Sequence, residues 1–144
     1  LSRINNLIEQ RKKLQSRFMR QFLINTQDAG LKQGDKEFLE KAIKIVEREM
    51  ENTEFDIPQF AASLNFSRSQ LHKKLIALTN QSATEFIRTI RLKEAARLLV
   101  EQNMGISEVF PRVGFNDRSY FTRAFTELFG MNPSEYKKEK NAGS

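Results

Sequence analysis

Ser67-Arg68-Ser69-Gln70-Leu71-His72-Lys73-Lys74-Leu75 returns at an offset of 50, from Ser67 to Asp117, as Asp117-Arg118-Ser119-Tyr120-Phe121-Thr122-Arg123-Ala124-Phe125. Each copy opens with a residue that can cap a helix and carries apolar residues at its fifth and ninth positions. Small polar and basic side chains occupy the remaining positions. The pattern predicts a helix anchored along one side and open along the other, built twice, with Leu71, Leu75, Phe121 and Phe125 in the core. A helix of that kind can place its open face in the major groove of DNA.

The residues around each copy repeat as well. Asp56-Ile57-Pro58-Gln59 has a capping-box spacing with proline in the first helical turn, where its missing N–H costs little. Leu64-Asn65-Phe66 then makes a turn, and Ser67-x-x-Gln70 is a second capping box. In the second copy, Ile106 to Val113 leads to a turn at Gly114. Before the turn the offset is 49, pairing Asn65 with Gly114, two residues that tolerate left-handed backbone. After it the offset is 50, so one residue has been added near Asn116.

Between the copies, Ser82-Ala83-Thr84-Glu85 is a third capping box, opening a helix whose Phe86, Ile87, Ile90, Leu92, Ala95, Ala96, Leu98 and Leu99 give it a wide apolar face. Roughly 18 residues of helix span about 27 Å. Beyond the second copy, Gly130-Met131-Asn132-Pro133-Ser134 stops one helix and opens a last short one around Glu135 and Tyr136. The polar tail from Lys137 is expected to fray. The expected architecture is all-α: a first helix-turn-helix over about 56–79, a linker helix over about 83–101, a second helix-turn-helix over about 106–129, and a flexible tail at 139–144.

Upstream, Leu1, Ile4, Leu7, Ile8, Leu14, Phe18 and Phe22 recur at helical spacing among arginines and lysines. They predict a basic amphipathic helix over residues 1 to about 24 that packs on something outside this stretch or on a second copy of itself, the alternative being direct contact with DNA phosphates. Residues 25–34 read as a linker. Asp35 is the expected cap of a helix with Phe38, Leu39, Ala42, Ile43, Val46 and Met50 on one stripe, ending near Glu51 to Thr53. The domains are thus expected at 1–34 and 35–138.

Composition removes most other classes of function. The chain has 144 residues, no cysteine and one histidine, leaving no thiolate, no sulfur-ligated metal and no imidazole cluster. It also lacks a nucleophile–base pair and a phosphate-cradling glycine loop, so no catalytic residue, cofactor or metal is expected. The formal charge of +6 favours a polyanionic partner. No apolar run approaches the roughly 20 residues of a membrane span, and the N-terminus shows no signal-peptide pattern, which points to the cytoplasm. A start at Leu1 rather than methionine leads to the expectation of a piece of a longer protein.

The second half, Val113-Gly114-Phe115-Asn116-Asp117-Arg118-Ser119-Tyr120-Phe121-Thr122-Arg123-Ala124-Phe125 with Phe129-Gly130-Met131-Asn132-Pro133-Ser134-Glu135-Tyr136, resembles the DNA-binding domain of AraC/XylS-type transcription regulators. The linker stretch Arg91-Leu92-Lys93-Glu94-Ala95-Ala96-Arg97-Leu98-Leu99 fits the same pattern, and the likeness covers about residues 35–138. It implies two helix-turn-helix units that set their second helices in successive major grooves of double-stranded DNA. Base contacts would fall on Ser69, His72 and Lys73, and on Arg118, Ser119, Thr122 and Arg123. The side chains have the chemistry for such contacts, since Lys and Arg donate to guanine, Ser and Thr reach several base edges, and His donates or accepts. Ser67, Arg68, Lys74, Ser82, Arg88 and Asn132 are candidate phosphate contacts, through side chains or the helix N-termini they open.

Arg3-Ile4-Asn5-Asn6-Leu7-Ile8-Glu9-Gln10-Arg11 is similar to the connector that follows the receiver domain in hybrid two-component regulators of gut Bacteroidetes. That implies an output domain of a sensor anchored in the inner membrane, with dimerisation through the N-terminal helix or absent upstream domains. No small-molecule ligand is expected for this stretch itself.

One departure from the family pattern stands out. Phe110 and Pro111 occupy positions where the first copy has Ala61 and Ala62. A proline past the first turn removes a backbone hydrogen bond and clashes with the preceding turn, at about 3 kcal/mol in a regular helix. A kinked or shortened helix over 106–113 is therefore expected, with Phe110 pushing its neighbour outward. The rival reading follows from it: a helical module that chiefly contacts protein, such as RNA polymerase, with weak or one-sided DNA binding.

Overall fold

The computed structural model describes residues 32–142, and all regular structure among them is helical. The helices are α1 (Gln33–Arg48), α2 (Ile57–Ser63), α3 (Arg68–Thr79), α4 (Ala83–Glu101), α5 (Ile106–Arg112), α6 (Arg118–Phe129) and α7 (Pro133–Ala142). None of them is long and apolar enough to cross a membrane. The amphipathic helix expected over 1–24 lies outside the described residues. Two compact units emerge. The first takes the described residues through Arg48 together with Asp56–Phe86, and the second takes Glu49–Phe55 with the described residues from Ile87 onward.

In the first unit, α1 buries Phe38, Leu39, Ala42, Ile43 and Val46, the stripe its spacing predicts. Its start differs from expectation. The N–H groups of Asp35 and Lys36 both donate to the Lys32 carbonyl, so the helix begins before Asp35, whose carboxylate instead sits in the first turn where the helix dipole favours it. The helix stops at Arg48, short of the expected Glu51 to Thr53, and the Asn52 N–H closes a turn onto the Glu49 carbonyl.

The first two predicted capping boxes of this unit are formed. Asp56 accepts from the Gln59 N–H at 3.0 Å while the Gln59 side chain accepts from the Asp56 N–H at 3.3 Å. Ser67 and Gln70 exchange the same pair at 3.1 and 2.9 Å. Between them Asn65 turns the chain at φ 59°. Phe60, Leu71, Leu75 and Phe86 are fully buried, and the rings of Phe60 and Phe86 stack at 6.0 Å. Burial of side chains this size is worth roughly 1.5–3 kcal/mol each, enough to hold two short helices that would not persist alone.

The second unit repeats the device around an aromatic core. Phe121 and Phe125 are fully buried, and Phe115, Phe129 and Tyr136 pack edge-on or tilted around them at 4.5–5.4 Å. Here the expected distortion does not shorten the helix: α5 has seven residues, as α2 does. The turn bonds also coincide. Asn65 to Ala62 and Phe66 to Ala61, at 3.0 and 2.9 Å, are matched by Gly114 to Pro111 and Phe115 to Phe110, both at 3.0 Å.

The reason lies in where the two residues point. Pro111 is exposed and sits in the last turn, where its carbonyl is still used although its nitrogen donates nothing. Phe110 is half-buried and adds to the core, with its ring 6.3 Å from that of Phe121. A second difference lies at the C-terminus, where α7 continues to Ala142 instead of fraying from Lys137. Lys137 donates to the Met104 carbonyl at 2.9 Å and Lys140 lies 5.5 Å from the centre of the Tyr136 ring, so two of the polar side chains are anchored.

Candidate nucleic-acid interface

The two repeated stretches become α3 and α6, each of 12 residues, each opened by its predicted cap and each closed by a left-handed residue. Ser67 caps α3 through the third residue of the helix; Asp117 caps α6 through the second, accepting from the Ser119 N–H at 3.0 Å. Asn80 at φ 59° and Gly130 at φ 77° close them, with the Asn80 and Gly130 N–H groups bonded to Ile76 and Thr126. Asn65 and Gly114 stand at the turn before each helix, so asparagine in one unit and glycine in the other solve the same backbone problem twice.

Leu71 and Leu75 point inward from α3, and Phe121 and Phe125 from α6. The opposite face of α3 exposes Ser69, His72 and Lys73, three and four residues apart as a common face requires. On α6, Ser119 and Arg123 are exposed and Thr122 is half-buried. Arg118 is exposed too, but one guanidinium nitrogen donates to the Ser107 hydroxyl at 3.1 Å, tying the start of α6 to α5. Within each unit the candidate base contacts thus lie along one helix, away from its buried side.

The candidate phosphate contacts divide. Ser67 and Arg68 are exposed at the start of α3, although the Ser67 hydroxyl accepts from the Gln70 N–H at 3.1 Å. Arg88 is half-buried on α4. Ser82 is committed to its cap: its hydroxyl accepts from the Glu85 N–H at 3.2 Å and donates to the Glu85 carboxylate at 3.0 Å. Asn132 likewise accepts from the Glu135 N–H at 2.8 Å. Lys74 makes contacts within its own unit. It pairs with Asp35 at 3.4 Å and lies 5.0 and 5.7 Å from the ring centres of Phe38 and Phe66, so it braces α3 against α1 within the first unit.

Two features escape the sequence patterns. Arg91 reaches from α4 to the carbonyls of Asn52 and Gly114, at 3.0 and 3.3 Å, fastening both the turn that follows α1 and the turn that precedes α6. Burial lowers its pKa from the ordinary guanidinium value. The other is the Arg97 cluster, in which Arg97 bonds to Glu94 at 2.7 Å and to Glu101 at 3.3 Å. Burial works to lower the Arg97 pKa, but the bonds and charges of the two carboxylates outweigh it and raise it. Both arginines are structural, although their sequence surroundings are as basic as those of the recognition helices. Among the described residues no cluster of side chains could hold a metal ion.

Known proteins share this arrangement. A family model described as a helix-turn-helix domain matches residues 60–139. The chain is 38% identical over 135 residues to histidine kinase P4 of Formosa agariphila, which covers 94% of this chain and 10% of that protein. It is 39% identical over 83 residues to the Msm operon regulatory protein of Streptococcus mutans serotype c, covering 58% of this chain and 30% of the relative. It thus spans a minor part of the length of both. Among solved structures it is similar to the DNA-binding domain of AdpA, a global transcriptional factor, in complex with a target DNA. That likeness has a TM-score of 0.62 and 25% identity, covering 71% of this chain and 94% of the other.

Proposed function

The chain belongs to the AraC-type helix-turn-helix domain family, and from that membership we propose that it reads specific sequences in double-stranded DNA as the output domain of a larger signalling protein. The observation that carries this reading is the repeated register of the outward sides: Ser69, His72 and Lys73 on α3, and Ser119, the half-buried Thr122 and Arg123 on α6. Packing alone does not require such a match on the outward side of two helices with different cores. Lys73 and Arg123 donate to guanine O6 and N7, while the hydroxyls and His72 select neighbouring bases. Arg68 and the α3 N-terminus hold phosphates and set the register, and Arg118 exchanges its Ser107 bond for DNA.

The wider role follows from the relatives. The likeness to histidine kinase P4 along nearly the whole chain favours a sensor whose last step is transcriptional control in the cytoplasm, with the residues before Lys32 as connector. Dimerisation through that connector or upstream domains, and contact with RNA polymerase, complete the proposal. The intact turn after Pro111 favours two working units over one-sided binding.

The test is selection of bound duplexes from a random library, followed by affinity measurement across a salt series. Two separated half-motifs are expected, with affinity falling at a log–log slope near −0.9 for each phosphate neutralised. Salt-insensitive, sequence-indifferent binding would overturn the DNA reading. A single short motif would restrict it to one unit.

A further inference from the structure

We propose that Ile76, with Thr126 at the equivalent place in the second unit, recognises the 5-methyl group of thymine. The inference rests on the recognition role proposed for α3 and α6. Ile76 is one of three large apolar side chains left exposed among the described residues, at 40% of its surface. The inward positions of α3 are filled by Leu71 and Leu75, so the core has no place for it. It follows His72 by four residues and Lys73 by three, which sets it on the same outward face one helical turn further along.

A lone exposed isoleucine is ordinary on a protein surface. What separates this one is its partner in the repeat. At the offset of 50 stands Thr126, exposed, with its hydroxyl donating to the Thr122 carbonyl at 2.7 Å. That proton is no longer available to a base, leaving a methyl group and an oxygen acceptor to offer. Each open face therefore runs serine, then His72 or Thr122, then a basic residue, then a methyl-bearing branched side chain. Thymine is the one base that presents a methyl group in the major groove, and apolar contact is how proteins distinguish it. The face is thus suited to a site in which a guanine read by Lys73 lies near a thymine read by Ile76.

The experiment uses the whole chain and a duplex that it selects from the random library. Each thymine of the first half-site is replaced in turn by deoxyuridine, which keeps the hydrogen-bonding edge and lacks the methyl group. Binding is measured for the unaltered chain and for Ile76→Ala, with thermal melting to verify that the variant is folded. One uracil position is expected to weaken the unaltered chain about fourfold, the equivalent of one buried methylene-sized group. The same replacement should leave Ile76→Ala unchanged. Selective binding that ignores uracil throughout the half-site, or a uracil penalty that persists in Ile76→Ala, would overturn the inference and leave the DNA reading standing. Absence of selective, salt-dependent binding to any duplex would overturn both.

Discussion

Arg91 holds Gly114 from two sides: one guanidinium nitrogen donates to its carbonyl at 3.3 Å, and the Arg91 Cζ lies 2.7 Å from where a Cβ on residue 114 would stand. The Met50 carbonyl oxygen closes the same space at 2.6 Å. The second helix-turn-helix therefore depends on glycine at this turn for two reasons, its φ of 84° and the absence of room for any side chain. Arg91 carries the consequence into the turn that follows α1 through its bond to Asn52.

Gly114→Ala should accordingly destabilise the chain by at least about 2 kcal/mol, combining left-handed strain with displacement of Arg91 or Met50. Gly130→Ala is the internal comparison. Its φ is 77°, yet nothing lies within 4 Å of a Cβ there, so only the backbone cost of about 1–2 kcal/mol should appear. Urea unfolding of the two variants decides the matter: equal losses would show that crowding by Arg91 and Met50 contributes nothing.

These glycines also show what was legible in the sequence. The pairing of Asn65 with Gly114, the extra residue near Asn116 and the inward set Leu71, Leu75, Phe121 and Phe125 all follow from local rules of turn chemistry and helical period. Those rules act within a few residues and need no knowledge of the rest of the chain. Arg91 and Lys74 could not be read that way, because what each touches is remote in sequence: Arg91 meets Asn52 and Gly114, and Lys74 meets Asp35. For Pro111, the local rule was right about the lost donor and wrong about its effect, since an exposed last-turn position leaves the turn's other bonds in place. The assignment of bases to Ser69, His72, Lys73, Arg118, Ser119, Thr122 and Arg123 remains a proposal for DNA-binding experiments.

The accommodated pair Phe110 and Pro111 should behave oppositely to an uncorrected defect. Phe110→Ala removes a ring packed against Phe121 and should cost about 2 kcal/mol, less than the roughly 3–5 kcal/mol of a fully buried phenylalanine. Pro111→Ala restores one N–H at an exposed last-turn position, at the expense of a more flexible unfolded chain, so its effect should stay under about 1 kcal/mol. A thermal melt in which the double replacement raised stability by several degrees would contradict at least one of these statements, and the single variants would show which.

Lys93 should impose a pH dependence on stability. Burial lowers its pKa from 10.5 to about 8 in the folded chain. Between those values the unfolded state holds the proton more tightly than the folded one, so the Lys93 contribution to stability rises from about pH 8 to about pH 10.5. Below that window both states are protonated and the contribution is level. Other lysines titrate nearby, so the readout is the difference in melting temperature between the unaltered chain and Lys93→Met. That difference should change across the window and be flat beneath it; a flat difference throughout would show that Lys93 is solvated as freely as a surface lysine.

The neighbours Lys73 and Lys74 should separate recognition from scaffolding. Lys73 is exposed beside His72, whereas Lys74 is held by Asp35 and the rings of Phe38 and Phe66. Lys73→Ala should leave thermal stability nearly unchanged and relax base preference at one position of the selected site, losing roughly 1–3 kcal/mol there; Arg123→Ala should do the same at one position of the other half-site. Lys74→Ala should reverse the balance, lowering stability by about 0.5–1 kcal/mol through the lost ring and ion-pair contacts while leaving the order of base preferences intact. Binding of each variant to the selected duplex and to all single-base changes of it distinguishes the roles. An even loss of affinity across every sequence in Lys73→Ala would make that side chain a phosphate contact, and a changed base preference in Lys74→Ala would mean that its bond to Asp35 opens on DNA.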